Sequence, residues 1–224
     1  MKPRTLSHTE ARRAYDRIGR LQDTQAFYED VATSLLLRHG DFSSAQSVFE
    51  FGCGTGRFAQ RLLEEQLPPD ARYRGVDLSP HMIGLAQARL RPWAPRAEVR
   101  LTEGGPPSDE PSASCDRFVS NYVFDLLAIE EIEAVLREAQ RMLEAGGLLC
   151  TTGLSTGIGP ASRAMARAWS WVQSRVPALV GGCRPVDVLP LLPAEGWEVR
   201  HHSKLVRFGV SSEVLVARRL DSTC

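Results

Sequence analysis

Apolar and polar positions follow two rhythms along this chain. Residues 9–38 return apolar side chains at helical spacing among charged ones, and Gly40-Asp41 stops the run. From residue 46 short apolar runs alternate with longer amphipathic ones. Strands are predicted at 46–51, 72–76, about 97–102, about 116–121 and 147–152. The helix after the first strand begins near Gly56, buries Phe58, Leu62 and Leu63, and closes at Pro68-Pro69-Asp70. Ser79 caps the next, with Pro80 at its first position and Met82, Ile83, Ala86 and Leu90 on its apolar face. A third covers 129–144 and ends at Gly146-Gly147, while the Gly/Pro/Ser stretch 104–114 reads as a surface loop.

Alternation of this kind implies parallel strands joined by right-handed crossovers, with helices on both faces: an α/β fold. The tail differs. Trp197–Phe208 and Ser212–Arg218 are strand-like runs joined through Gly209, too closely for a crossover helix, so they are expected to pair antiparallel.

Composition narrows the partners. The 224 residues fit a single domain, and 43% hydrophobic content suffices for a sizeable core. Lys+Arg and Asp+Glu balance at 27 each, so no global field draws the chain to nucleic acid. Five cysteines (Cys53, Cys115, Cys150, Cys183, Cys224) show no metal-ligand spacing and are expected as reduced thiols; no metal is expected. No apolar run reaches the length of a membrane span and the N-terminus lacks a signal-peptide core, so the expected location is cytoplasmic, without stable membrane insertion.

The chemistry centres on Glu50-Phe51-Gly52-Cys53-Gly54-Thr55-Gly56, where the first strand breaks into glycines at every second position. Glycine lets backbone approach a ligand closely and accepts positive φ. Asp77, ending the second strand, can accept both hydroxyls of a ribose. A dinucleotide loop wants its third glycine where this chain has Arg57, and no Gly-Lys-Ser/Thr of a phosphate-binding loop follows. A carboxylate at Glu50 would repel a pyrophosphate but suits a ligand bearing ammonium and sulfonium groups. Through these residues and Val76-Asp77-Leu78-Ser79 the chain resembles the class I S-adenosylmethionine-dependent methyltransferases.

The resemblance implies a Rossmann-like, doubly wound, mostly parallel sheet of seven strands, the seventh antiparallel and inserted between the fifth and sixth, plus a helical cap. Its parts would be an N-terminal helical lid (1–44), a cofactor-binding core (45–153), a cap insert (154–186), and a last helix with the strand pair (187–224). The implied cofactor is S-adenosylmethionine, leaving as S-adenosylhomocysteine. Gly52, Cys53, Gly54 and Gly56 would pass under its methionyl part, with Glu50 just before the turn. Asp77 would hold the ribose, and Leu78 and Met82 would pack on the adenine. Thr102-Glu103 would meet the adenine amino group, Glu103 being preferred, and Asn121 and Tyr122 would line the sulfonium region; each is otherwise a strand-end packing residue.

The acceptor is expected to be a small, apolar or aromatic molecule or a lipid. Ser120-Asn121-Tyr122-Val123 lacks the Pro-Pro of base-amine methyltransferases, and no cysteine follows a proline as in cytosine-C5 enzymes. Tyr15-Asp16 and Phe27-Tyr28 resemble the aromatic lid of small-molecule methyltransferases, giving Tyr15 a cofactor role and Tyr28 a substrate role. Gly181–Pro185 and Tyr15–Ile18 are similar to segments of quinone-biosynthesis and phospholipid methyltransferases. In the cap, Met165, Trp169, Val172, Val176 and Leu179 share a helical stripe, whereas Trp171 lies off it and either faces solvent or lines a substrate pocket. His81, Tyr122, Asp125, His201 and His202 are the titratable candidates for a base, and none is singled out. The alternatives are a cofactor-binding accessory subunit without turnover, and a protein methyltransferase.

Overall fold

The computed structural model describes residues 26–175, 183–193 and 195–221. Helix α1 (Ala26–His39) leads into β1 (Ser47–Phe51), α2 (Arg57–Glu65), β2 (Arg72–Asp77), α3 (Pro80–Leu90), β3 (Ala97–Leu101), β4 (Cys115–Asn121) and α4 (Ile129–Met142). Then follow β5 (Leu143–Leu154), α5 (Pro160–Arg175), β6 (Trp197–Arg207) and β7 (Val210–Arg219). The seven strands form one sheet in the order β3-β2-β1-β4-β5-β7-β6. β1 pairs in parallel with β2 and β4, β2 with β3, and β4 with β5, while β7 runs antiparallel to both β5 and β6. The expected sheet and its reversed seventh strand are both present.

Period-two alternation divides the core. Val48, Tyr73, Val119, Cys150 and Val216 point to one face, against Ala32 and Leu36 of α1, Ala59 and Leu62 of α2 and Leu90 of α3. Phe49, Val76, Phe118, Leu149 and Leu215 point to the other, against Ile132, Val135, Leu136 and Ala139 of α4 and against Val186 and Val188. Local chemistry opens the helices, although α4 ends at Met142 and β5 begins at Leu143, earlier than the expected stop at Gly146-Gly147. Ser79 Oγ accepts from Met82 N at 3.2 Å with Pro80 opening α3, and Glu131 accepts from Ala128 N at 2.8 Å to open α4. Phe208 and Gly209 both take positive φ (50° and 83°), giving the twist that a two-residue β6–β7 hairpin needs.

Two segments depart from the sequence reading. In place of a last helix at the start of 187–224, the described residues show a single 3-10 turn, Leu189–Leu191. Pro190 and Pro193 explain this: neither donates an N–H, and proline disfavours helical backbone just before it. The stretch 104–114 is a surface loop, but a pinned one. Buried Glu110 accepts from Arg74 at 2.6 Å and also from Arg100, and its carbonyl accepts from Arg141 at 2.6 Å.

On the opposite sheet face, Arg117 of β4 ties α1 to the sheet. Its buried guanidinium donates to Gly40 O at 2.8 Å, Asp41 O at 2.6 Å and Ser44 Oγ at 2.8 Å, closing the turn after α1. Arg117→Ala strands two carbonyls and a hydroxyl, so urea denaturation should show a loss of about 2–4 kcal/mol.

Candidate functional site

The site forms where β1 turns into its glycine loop at the carboxyl ends of the strands. Gly52 N and Cys53 N both donate to Val76 O, at 2.9 and 3.0 Å, so the loop is bent back over β2. Asp77 then grips two backbones at once, its Oδ2 accepting from Gly54 N and its Oδ1 from Ser79 N, each at 2.9 Å. From α3, Arg89 holds the far side of the loop through Thr55 O and Oγ1 at 2.9 and 2.7 Å.

The three glycines serve different ends, although all have positive φ (80°, 52° and 74°). A Cβ on Gly52 would meet Val123 Cγ2 at 2.3 Å, and one on Gly56 would press on Ala86 at 3.1 Å. One on Gly54 would meet nothing within 4 Å, because that side opens into the crevice. Gly56 therefore serves helix packing between α2 and α3 and does not line the crevice, contrary to its expected ligand role.

Two adjoining cavities occupy the crevice and share Gly52, Gly54, Asn121 and Tyr122. The first, about 70 Å³, has apolar walls of Phe51, Val76, Leu78, Met82, Val123, Leu126 and Leu127, with Asp77 and Thr102 at its polar edge. The second, about 340 Å³, runs from Glu50, Cys53 and Thr55 out between α1 and α2, past Asp30, Thr33, Arg57, Phe58 and Arg61. Arg57 pairs with Asp30 at 2.7 Å across that groove. A larger cleft, about 670 Å³, lies along Arg74, Arg91, Arg100 and Glu110 and contains none of the motif residues.

Glu50 lies buried on the floor of the second cavity. Tyr73 OH donates to its Oε2 at 2.5 Å and Asn121 Nδ2 to its Oε1 at 3.3 Å, and Thr152 Oγ1 in turn donates to Asn121 Oδ1 at 2.8 Å. Burial pushes the Glu50 carboxyl up to about 7; the Tyr73 and Asn121 bonds oppose the rise, and the charge of Asp77 adds to it. Burial, then Asp77 and Glu50, push the Cys53 thiol up as well, so it stays protonated. Tyr73 was not anticipated as a site residue. It reaches Glu50 because Gly75 has no side chain: a Cβ there would sit 2.7 Å from Tyr73 OH. A tyrosine two places before a strand glycine, beside a strand carrying a carboxylate, was the readable signal.

The remaining candidates divide. Thr102 lines the apolar cavity, but Glu103 is exposed and outside it; Gly104 and Gly105 turn the chain over the pocket instead. Tyr122, at φ 54°, lines both cavities while its hydroxyl bonds Ser212 Oγ at 2.9 Å. Asp125 lines neither cavity. It is buried in the 3-10 turn Phe124–Leu126, and burial lifts its carboxyl to about 7 despite its own amide, Arg184, Cys183 and the Leu154 amide. His81 is exposed on α3. On β6, His201 stacks on His39 with ring centroids 3.7 Å apart, and His202 bonds Glu213 at 2.9 Å. Trp171 is 60% exposed and lines neither of these cavities. Tyr15 and the side chain of Tyr28 lie outside the described residues.

Comparison with known proteins converges on this crevice. A family model described as a methyltransferase domain matches residues 49–149. A malonyl-[acyl-carrier protein] O-methyltransferase of Paenibacillus sp. (strain JDR-2) is 30% identical over 143 residues, covering 62% of this chain and 49% of that protein. The chain thus spans about half the length of the curated relatives it matches. Among solved structures, the N-methyltransferase NodS from Bradyrhizobium japonicum WM9, in complex with S-adenosyl-L-homocysteine, superposes with a TM-score of 0.70 at 17% identity, covering 93% of this chain and 98% of that one. The [4+2]-cyclase SpnF superposes at 0.72 and 15% identity, covering 98% and 99%. At such identities the structures speak to fold alone, and the fold agrees with the domain match. Residues 49–149 of this chain thus match a methyltransferase domain, on the Rossmann-like fold that these methyltransferase structures share.

Proposed function

We propose that this chain binds S-adenosylmethionine across the carboxyl ends of β1, β2 and β4 and transfers its methyl group to a small molecule. The observation that carries this is Asp77, poised at the tip of β2 between a glycine loop and an apolar slot, with a second, acid-floored cavity adjoining. When bound, the cofactor supplies an electrophilic methyl on a sulfonium. Asp77, its two oxygens already oriented by Gly54 N and Ser79 N, accepts the ribose hydroxyls. Leu78, Met82, Val123 and Leu127 enclose the adenine, with Thr102 at its edge. Glu50, as a carboxylate under the methionyl end, offsets positive charge in a site with little water.

No histidine lines either cavity among the described residues. The reading therefore assigns the rate gain to orientation and exclusion of water, with an acceptor already nucleophilic near neutral pH. An apolar acceptor had rested on Trp171, which lines neither cavity, so the proposal extends only to a small molecule. A second reading has one observation behind it: the [4+2]-cyclase SpnF shares this fold, so the crevice alone does not dictate transfer. Methylated product from labelled cofactor decides for transfer; binding without turnover over a broad acceptor panel decides for the second reading.

Asp77→Ala should weaken cofactor binding about 100-fold or more by calorimetry, since charge-assisted bonds to two hydroxyls are lost at about 1.5–3 kcal/mol each. Undiminished affinity would remove Asp77 from the ribose role. Gly54→Ala should fold with a left-handed strain of about 1–2 kcal/mol yet lose affinity, because its methyl enters the crevice, whereas Gly52→Ala should lose stability through Val123. Thermal melts alongside binding separate the two.

The pH dependence follows from Glu50. Its carboxyl is protonated below about 7 and a cationic ligand favours its charged form. Affinity for S-adenosylmethionine should therefore fall as the pH drops below 7, approaching about tenfold per unit at most, and Glu50→Gln should flatten the profile. Identical profiles for both proteins would overturn this.

A further inference from the structure

Tyr73 lines neither cavity and is fully buried on β2, yet its hydroxyl ends on the carboxylate that floors the second cavity. The core asks for an aromatic ring at this position, and phenylalanine would supply one equally well. The hydroxyl has a different use: it donates to Glu50 Oε2 at 2.5 Å. Room for it comes from Gly75, which stands opposite Glu50 in the β1–β2 register. A Cβ there would sit 2.7 Å from the hydroxyl and 2.9 Å from Cys53 Cβ. The glycine and the tyrosine together bring one polar atom through the sheet to the underside of the site.

A buried carboxylate survives only where donors replace its water. Tyr73 and Asn121 give one donor to each oxygen of Glu50, and such charge-assisted bonds favour the ionised form. The acids nearby act the other way. Asp77 opposes ionisation from the end of β2, and the Cys53 thiol in the loop is itself held protonated. Asp30, Arg57, Arg61 and Glu64 line the outer reach of the same cavity from α1 and α2. There Arg57 pairs with Asp30 and Arg61 with Glu65, so these cations have acids of their own. Burial leaves the Glu50 carboxyl at about 7, where one positive charge entering the cavity is enough to tip it toward the carboxylate.

We propose that Tyr73 is a positioning residue through which the crevice tells S-adenosylmethionine from S-adenosylhomocysteine: it holds Glu50 as an oriented carboxylate, which favours the sulfonium over the neutral thioether. The inference rests on the cofactor reading above. The two ligands share the adenosine and the amino-acid end, and differ at sulfur by a methyl group and one positive charge. Asn121 lines both cavities and bonds Glu50, so the carboxylate is tied to the junction where that sulfur would lie. Without the tyrosine hydroxyl, Glu50 keeps one donor fewer and is neutral at pH values where the parent is charged. The preference for the cation then goes with it.

The test is calorimetry of the full chain with both ligands between about pH 5.5 and 7, below the range in which an α-amino group titrates. In the parent, the affinity ratio of S-adenosylmethionine to S-adenosylhomocysteine should rise several-fold with pH across that window. The sulfonium ligand should also release more protons on binding, counted from the heats in two buffers of different ionisation enthalpy. In Tyr73→Phe the rise should move up by about one to two pH units, the effect of losing one charge-assisted bond, so the ratio stays low and flat over the same window. Added to Glu50→Gln, Tyr73→Phe should change the ratio no further. Circular dichroism reports folding, and Tyr73→Met substitutes should the phenylalanine variant misfold. A variant ratio that follows the parent at every pH, or a loss of affinity equal for both ligands, makes Tyr73 a packing residue and overturns the proposal. Equal proton release by the two ligands in the parent overturns it as well. A parent that binds neither ligand overturns the cofactor reading itself, and the proposal with it.

Discussion

A single carboxylate organises the crevice. Asp77 accepts from the glycine loop through one oxygen and from the start of α3 through the other, so the end of β2 is stitched to its neighbours on both sides. Backbone donors fix the carboxylate orientation more firmly than long side chains would, because they bring little rotamer freedom of their own. The loop that meets it must curve left-handed at Gly52, Gly54 and Gly56. The space around each glycine then sets what it does: Gly52 meets the wall, Gly54 opens the crevice and Gly56 lets two helices touch. The crevice is shaped before any ligand arrives, which is where preorganisation gains its effect.

Beneath the loop, a line of polar side chains runs sideways across the sheet. Tyr73, Glu50, Asn121 and Thr152 link β2, β1, β4 and β5 in one hydrogen-bonded row. Burying a carboxyl there opposes its ionisation, and the two donors on Glu50 recover part of that cost. The row holds the acidic group at a fixed depth below the loop and keeps it responsive to charge entering from above.

The alternating strands and helices, the antiparallel last pair and the glycine–aspartate pair were legible because each depends on near-sequence chemistry (alternation, a turn glycine, a strand-end acid), whereas the strand order came only with the family resemblance. The misses arose where neighbours distant in sequence decide. Glu103 was preferred over Thr102 on chemistry, but the turn through Gly104 and Gly105 leaves the threonine facing the pocket. Trp171 was placed off the packed stripe correctly, yet only three dimensions show that it lines neither cavity. Tyr73 needed knowledge that β1 and β2 pair with Glu50 opposite Gly75. The expected last helix ignored the prolines within it.

Tyr122 joins the crevice to the far end of the chain. Its ring walls both cavities, its amide bonds Thr152 O at 2.8 Å, and its hydroxyl reaches Ser212 on β7. The C-terminal hairpin thereby supports a wall of the pocket and is more than an edge to the sheet. Nicking the turn at the exposed Phe208, or grafting a different tail onto this core, would slacken a wall that the glycine loop and Asp77 alone do not hold.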